Sequence, residues 1–304
     1  MSTEARGDRV PKGTDERNWE AFWRSGRMYR ESVVFRRTPE GLTGRLLYEP
    51  EHLERIEFPG GGREMDCGDF SVRGRELVYH GREEIPVLTD AQYWGEERDP
   101  AALAAMKRFQ VARPYYSEDF PATRQMLVSY SFAAGACPPG VRFSPDVLVR
   151  TREKLVRGEP LRVQIYGDSI GQGMTSSGLT GRAPYLPTFS ELFCEALSRF
   201  SGAEVRLSNV SEGGMTSGWG AEHMEERLTK GEDLYLFCWG MNDGSAGVVP
   251  EVFAENIRRM RQFVEGEAEF LLIAPMLPNP DAELTTGGCF LNRQPDYAEA
   301  LAGL

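Results

Sequence analysis

The chain has 304 residues, of which 40% are hydrophobic and 27% charged, and its formal net charge is −11. This length is enough for two domains that each bury a core, and no apolar run approaches the roughly 20 residues that a membrane-spanning helix needs. The acidic balance, with no basic stripe among aromatic residues, argues against nucleic acid or an anionic membrane as a partner.

The N-terminal segment over 1–18 is polar and charged and lacks the apolar stretch of a secretory signal. We expect it to be a disordered arm. The five cysteines are widely spaced, odd in number and form no C-x-x-C pair, which favours free thiols over a disulfide framework or a zinc site. These features lead us to expect a cytoplasmic protein, and the sequence does not predict its oligomeric state.

Residues 19–138 carry short apolar runs such as SVVFRR, GRLLYEP and QMLVSYSF, separated by turns rich in Gly and Pro. Short β-branched and aromatic runs with frequent turn signals are typical of antiparallel strands. We therefore predict an all-β domain, a sandwich or jelly roll, over 19–138. The stretch AAGACPPGVRFSPDV predicts the connection between domains, which we place at 139–154.

Residues 155–304 alternate strand-like and helical segments. The runs LRVQIY, EVRLSNV, DLYLFCW and EFLLIAP predict strands, and the segments between them have the apolar periodicity of helices. Thr188 and Glu191 fit a capping box at the start of one helix, and Gly202 fits its end. Pro250 begins another helix, and DYAEALAGL predicts a last one. This alternation predicts an α/β domain with a flavodoxin-like parallel sheet and helices on both faces.

Small and polar residues follow three of these predicted strands: GDSIGQG the first, SEGGMTSGWG the second and GMND the third. In open sheets of this kind, ligands bind at the carboxyl ends of the strands, where the strand order reverses. We therefore predict that Ser169, Gly214 and Asn242 lie together. A serine at a strand-to-helix turn presents a hydroxyl and its own N–H, and Gly214 and Asn242 can add donors for a developing oxyanion.

The same segments resemble three sequence blocks of the SGNH hydrolases, the GDSL-type esterase family. G-D-S at 167–169 matches the first block, with Ile170 in place of the usual leucine. Asn209 and the SEGG that follows it match the second block, and G-M-N-D at 240–243 matches the third. The resemblance covers about 155–304, and the N-terminal half resembles, less specifically, the β-sandwich domain that precedes the hydrolase in some bacterial members.

The resemblance implies a serine ester hydrolase without a metal or cofactor. Ser169 would be the nucleophile that forms an acyl-enzyme. The oxyanion hole would consist of the Ser169 N–H, the Gly214 N–H and the Asn242 side chain. The attached β-domain implies, by analogy with the family, a short acyl ester of a carbohydrate, an acetyl ester above all, as the substrate.

The family's D-x-x-H block, which supplies its catalytic base after a fifth strand, has no counterpart in this sequence. We expect the SGNH fold to lack its last strand, to be C-terminally incomplete and to be impaired in catalysis. His52 and His80 belong to the predicted β-domain, so His223, shortly after Gly214, is the alternative base. A different interpretation is a non-catalytic glycan- or ligand-binding protein with a degenerate domain that lacks the catalytic histidine.

Several residues near the predicted site also have a structural interpretation. Asp168 is expected to accept hydrogen bonds at the start of the turn, and Asp243 to brace the loop that carries Asn242. Trp239 and Tyr166 are expected in the core. For Gly213, the interpretation we favour is a turn that needs a positive φ.

Overall fold

The structure is a computed structural model of the chain and describes residues 25–93, 123–133, 135–136, 144, 146–174, 176–181, 185–266, 268–276 and 293–304. The predicted arm over 1–18 lies outside the described residues. The chain divides into two compact units, which are Met1–Tyr93 with Glu118–Arg142 and Gly181–Leu186, and Trp94–Ser117 with Phe143–Thr180 and Pro187–Leu304.

The first unit is built on antiparallel strands. They are β1 (Arg27–Thr38), β2 (Gly41–Arg45), β3 (Pro50–Glu57), β4 (Glu64–Met65), β5 (Phe70–Arg73), β6 (Glu76–Tyr79) and β7 (Gln125–Phe132), with a 3-10 turn at Cys67–Asp69 and a short helix, α1 (Asp90–Tyr93). The strands form a seven-stranded sheet in the order β4-β3-β7-β1-β2-β6-β5.

Strand β1 joins the two halves of this sheet. It has 12 residues, so it can change partner along its length: the part up to Val34 pairs with β7 and the part from Phe35 pairs with β2. Ile56 and Tyr130 from one half pack with Leu77 from the other in a single core. The predicted sandwich of separate sheets is therefore not confirmed, because one continuous sheet curls over its own core.

The second unit contains the four strands that the sequence predicted. They are β8 (Leu161–Gly167), β9 (Val205–Asn209), β10 (Leu234–Cys238) and β11 (Glu269–Ile273). All are parallel, in the order β11-β10-β8-β9. The chain moves from β8 to one side and then to the other, which is the flavodoxin-like arrangement, and the strand order reverses between β8 and β10. That the fold lacks a last strand stays a prediction.

Helices pack on both faces of this sheet, as predicted. They are α2 (Val149–Val156), α3 (Ser169–Gln172), α4 (Ser177–Thr180), α5 (Phe189–Ser201), α6 (Ser217–Arg227), α7 (Met241–Ala246), α8 (Pro250–Phe263) and α9 (Gln294–Ala302). Val163 and Ile165 of β8 pack with α2 and α5, whereas Tyr166 packs with α6, α8 and α9, because successive side chains of a strand point to opposite faces. Helix α2 begins inside the segment predicted as a linker.

The ends of α5 follow the sequence signals. The Thr188 hydroxyl accepts the Glu191 N–H at 3.3 Å, and the Glu191 carboxylate accepts the Thr188 N–H at 2.7 Å, which is the predicted capping box. Gly202 ends the helix with a φ of 74°, in the left-handed region that favours glycine. These local bonds fix where the chain returns from α5 toward β9.

Candidate functional site

Ser169 is the first residue of α3, and a single residue separates it from the end of β8. The preceding residue, Asp168, caps the helix, since its Oδ1 accepts the Ile170 N–H at 2.9 Å. The turn closes at Gly173, whose φ is 78°. The predicted role of Asp168 as an acceptor at the start of the turn is confirmed. The serine therefore stands at the carboxyl edge of the parallel sheet.

Asp168 also reaches a second loop. Its Oδ2 accepts the N–H of Met241 at 3.2 Å, and its own N–H donates to the Cys238 carbonyl at 3.0 Å. Its side chain is buried, and this burial raises its pKa to about 6, with the charge of Asp243 adding to the shift and the backbone hydrogen bonds opposing it. The carboxylate thus connects the Ser169 turn to the loop that carries Asn242.

The loop after β9 packs against the Ser169 turn. Asn209 donates its amide N–H to the Gly171 carbonyl at 3.0 Å and accepts the Ser211 N–H at 3.1 Å. The Glu212 N–H donates to the Gly167 carbonyl at 2.9 Å. Asn209 therefore fixes this loop beside the turn by bonding to backbone groups on both sides.

The two glycines of this loop differ in backbone conformation and in surroundings. Gly214 has a φ of 82°, and a Cβ built on it meets nothing within 4 Å, so its position faces open space. Gly213 has no positive φ, and the predicted reason for this glycine is wrong. Its backbone packs closely against the Ser169 turn instead: a Cβ there would lie 3.7 Å from Ser169 Cβ and would meet the movable end of the Gln172 side chain at 2.8 Å.

Asn242 follows β10 and points toward the same loop. Its Nδ2 donates to the Met215 carbonyl at 3.0 Å. Asp243 is fully buried and accepts the Ser217 N–H at 3.0 and 3.1 Å and the Ser217 hydroxyl at 2.5 Å, while Asn256 donates to that hydroxyl at 3.0 Å. Burial raises the pKa of Asp243, and the hydrogen bonds from Ser217 oppose the rise. The predicted brace is present, and it also fixes the start of α6.

The structure thus brings together the three loops that carry Ser169, Gly214 and Asn242. Asp168 joins the first to the third, Asn209 joins the second to the first, and Asn242 itself joins the third to the second. The meeting point is the reversal of strand order between β8 and β10, where ligands bind in sheets of this type. The catalytic roles of the three residues stay predictions.

Within the described part of the chain, no hydrogen bond joins the Ser169 hydroxyl to a base. His223 Nδ1 lies 2.9 Å from the Trp219 carbonyl, and its ring stacks on Trp219 at 4.2 Å. Since a carbonyl only accepts, Nδ1 carries a proton in this bond, and in the neutral ring Nε2 is then the acceptor. His80 Nε2 lies 2.7 Å from the Ser71 hydroxyl in the first unit, and His52 lies in β3.

Trp239 and Tyr166 lie in the core, as predicted, with ring centroids 4.9 Å apart and the planes nearly perpendicular. The Tyr166 hydroxyl donates to the Gly220 carbonyl at 3.0 Å. Within the described residues, no three His, Cys, Asp or Glu side chains are grouped as a metal site requires. None of the helices in the described ranges is long and apolar enough to cross a bilayer.

An apolar cavity of about 170 Å³ beside the Ser169 turn is a feature that sequence reasoning missed. Its lining comes from the ends of three strands and the start of α5, and includes Ile170, Phe189, Met241, Ile273, Ala274 and Met276. These residues lie far apart in the sequence, and only the apolar end of the EFLLIAP run is a sequence signal for it.

No family model and no curated protein matches the chain. A protein assigned to the G-D-S-L lipolytic family from Desulfitobacterium hafniense is 17% identical, with a TM-score of 0.34 over 47% of this chain and 70% of that one. A lipase/acylhydrolase from Enterococcus faecalis is 19% identical, with a TM-score of 0.36 and the same 47% and 70% coverage.

A two-domain esterase active on acetylated mannans is 21% identical, with a TM-score of 0.42, and the match covers 53% of this chain and 40% of that protein. The chain therefore spans less than half of this esterase. The similar structures named here are thus those of a G-D-S-L family protein, a lipase/acylhydrolase and an esterase.

Proposed function

We propose that this chain is a serine ester hydrolase that acts through an acyl-enzyme on Ser169. The observation that carries the proposal is the convergence of the three loops, which are joined by hydrogen bonds that Asp168 accepts and that Asn209 and Asn242 donate. An ester carbonyl bound over Ser169 would direct its oxygen toward the Ser169 N–H, the Gly214 N–H and the Asn242 amide. Each such donor is typically worth about 3 kcal/mol in the transition state.

The bond from Asn242 to the Met215 carbonyl supports its proposed role. The side-chain amide nitrogen carries two hydrogens, and of the two polar atoms of the amide only the nitrogen can donate to a carbonyl oxygen. The bond at 3.0 Å therefore turns the amide nitrogen toward the loop that carries Gly214. Its second N–H is left for the substrate oxygen, so the donor would be oriented before the ester binds.

The reaction proposed is a two-step acyl transfer. The Ser169 oxygen attacks the ester carbonyl and gives its proton to a base, the alcohol leaves with a proton, and water then releases the acid. The family resemblance implies a histidine from a D-x-x-H block as the base. His223, whose Nε2 is the acceptor nitrogen, is the alternative. His223→Ala distinguishes these two candidate bases. A loss of rate equal to that of Ser169→Ala would assign the base to His223, and an unchanged rate would exclude it.

The substrate proposed is a short acyl ester. One of the similar structures is described as active on acetylated mannans. Acetylated manno-oligosaccharides are therefore the first substrates to assay. Aryl acetates are assayed in parallel, because they report on the acyl step alone. Release of acetate from the oligosaccharide, dependent on Ser169, would support a carbohydrate as the alcohol part of the ester.

The proposal is tested with the full chain, p-nitrophenyl acetate and butanoate, and a fluorophosphonate probe that labels activated serines. Ser169→Ala should abolish labelling, and Asn242→Ala should lower kcat by about 10²- to 10³-fold. Ser71→Ala is the matched control, because Ser71 is a serine that bonds to a histidine outside the site. It should leave labelling and rate unchanged. Equal hydrolysis by wild type and Ser169→Ala would exclude Ser169 as the nucleophile.

A non-catalytic ligand-binding protein is the second candidate. The observation in its favour is that, among the described residues, no base bonds to the Ser169 hydroxyl. Under this alternative, wild type and Ser169→Ala would both lack hydrolysis and labelling, yet both would bind an ester ligand. The combination of binding with no labelling would therefore favour it over the hydrolase.

A further inference from the structure

The apolar cavity lies on the other side of the Ser169 turn from the loop that carries Gly214. Strand β8, which ends at the turn, lies between β9 and β10 in the sheet. The Gly214 loop follows β9, whereas the cavity is lined by residues that follow β10 and β11, such as Met241 and Ala274. Asp168 and Ile170, on either side of Ser169, also line the cavity, so an ester bound over Ser169 with its oxygen toward Gly214 would have the cavity at its opposite side.

The lining suits a hydrocarbon better than a sugar. Its side chains are mostly aliphatic or aromatic, as in Ile170, Phe189 and Ile273. The carboxylate in the lining belongs to Asp168, and its two oxygens already accept the backbone N–H groups of Ile170 and Met241. A sugar hydroxyl entering the cavity would lose hydrogen bonds to water without gaining equivalent ones.

We propose that this cavity binds the acyl chain of the ester and that the protein prefers acyl groups of about four to six carbons to acetyl. The inference rests on the proposed function and, within its short acyl esters, favours longer acyl groups over the acetyl group that the resemblance implies. A cavity of about 150 Å³ in another protein holds one benzene molecule, so the volume of about 170 Å³ suits about six carbons. An acetyl group would leave most of the cavity unfilled.

The size also sets an upper limit. Pockets that enclose a whole drug-sized ligand have about 300–1,000 Å³, so this cavity holds only one part of a substrate. Each methylene buried should strengthen transition-state binding by about fourfold. We expect kcat/KM to rise by about this factor per methylene from acetate to hexanoate, and to level off or fall from octanoate onward. Ala274 and Met276 at the rim are exposed, so longer chains can extend into solvent there.

Binding is tested without catalysis, on the Ser169→Ala full chain. Methionine methyl groups are labelled with ¹³C, and methyl hexanoate or methyl acetate is added while the methyl resonances are recorded by NMR. Met241 and Met276 line the cavity and should shift with hexanoate in a saturable manner, at concentrations at least tenfold lower than with acetate. Ala274→Phe, which places a ring in the cavity, should abolish the shifts. Ala302→Phe, the same change at an exposed position on α9, should retain them.

The rate measurement uses the same two variants with Ser169 intact and p-nitrophenyl esters from acetate to decanoate. Ala274→Phe should lower the hexanoate-to-acetate ratio of kcat/KM by at least tenfold, and Ala302→Phe should not change it. Shifts that are equal for both esters, or that persist in Ala274→Phe, would overturn the inference. Rates that do not depend on Ser169 would instead overturn the proposed function while the binding result stands, so the two failures are distinguishable.

Discussion

The sharpest prediction concerns the buried carboxylate of Asp168. Burial raises its pKa from the ordinary 3.8 to about 6. A raised pKa means that the native state binds the proton more tightly than the unfolded state. This contribution to stability is therefore fully present below the unfolded pKa and is lost as the pH rises through about 6. Asp168→Asn removes the titrating group and with it this pH dependence.

The magnitude follows from the two pKa values. Their difference, at about 1.4 kcal/mol per pKa unit, corresponds to about 3 kcal/mol of unfolding free energy. Wild type should therefore lose about 3 kcal/mol relative to Asp168→Asn between pH 3.5 and pH 7.5, with most of the change between the two pKa values. At the upper end of this range the Asp168 carboxylate of the wild-type protein is both buried and ionised. This carboxylate is the group that connects two loops of the site.

Urea unfolding at half-unit pH intervals, followed by tryptophan fluorescence, measures this difference. Asp233→Asn is the control of opposite sign. Burial opposes ionisation of Asp233, but the hydrogen bond and charge of Lys154 lower its pKa overall, so wild type should gain stability relative to this variant as the pH rises. Parallel pH profiles for wild type and Asp168→Asn would refute the reasoning, because Asp168 would then titrate identically in both states.

Substitutions at three further positions test the geometry of the site and its supports. Gly214→Ala should lower the unfolding free energy by about 1–2 kcal/mol in urea unfolding, because a φ of 82° is strained for any residue with a Cβ, although this Cβ would meet no atom. An unchanged unfolding midpoint would contradict this φ. Thr188→Ala should cost about 1 kcal/mol by breaking the capping box with Glu191, and Thr188→Ser should restore most of it. Asp243→Asn should lower the unfolding free energy by about 1.5–3 kcal/mol, because it weakens the charge-assisted hydrogen bonds to Ser217. It should also lower kcat more than it raises KM. A loss of stability with an unchanged kcat would show that the brace does not position the site.

Local features of the second unit were predictable from the sequence because their causes lie within a few residues. The capping box of Thr188 and Glu191 and the helix end at Gly202 each involve neighbours in the chain. The cap at Asp168 is equally local, since its partner Ile170 is two residues away. Apolar periodicity then sufficed to predict the four parallel strands and the helices that cover both faces.

The first unit was harder to predict because its architecture depends on pairing between distant strands. Short apolar runs indicated antiparallel strands, but nothing in them specified that β1 would pair with β7, which follows after a long intervening segment, and also with β2. Strand propensity describes a half-buried surface and does not select a partner. Two separate sheets and one curled sheet fit such runs equally well.

The sequence by itself determined which groups could do chemistry and on which local structures they stand: a serine at a strand-to-helix turn, a glycine loop and an asparagine after the third parallel strand. Tertiary structure alone decided that Asp168 reaches Met241, that Asp243 holds Ser217, and that an apolar cavity opens beside the turn. The physical reason is that hydrogen bonds within a turn depend on nearby backbone dihedrals. Contacts between loops and the volume left among them arise only after the strands have taken their order in the sheet.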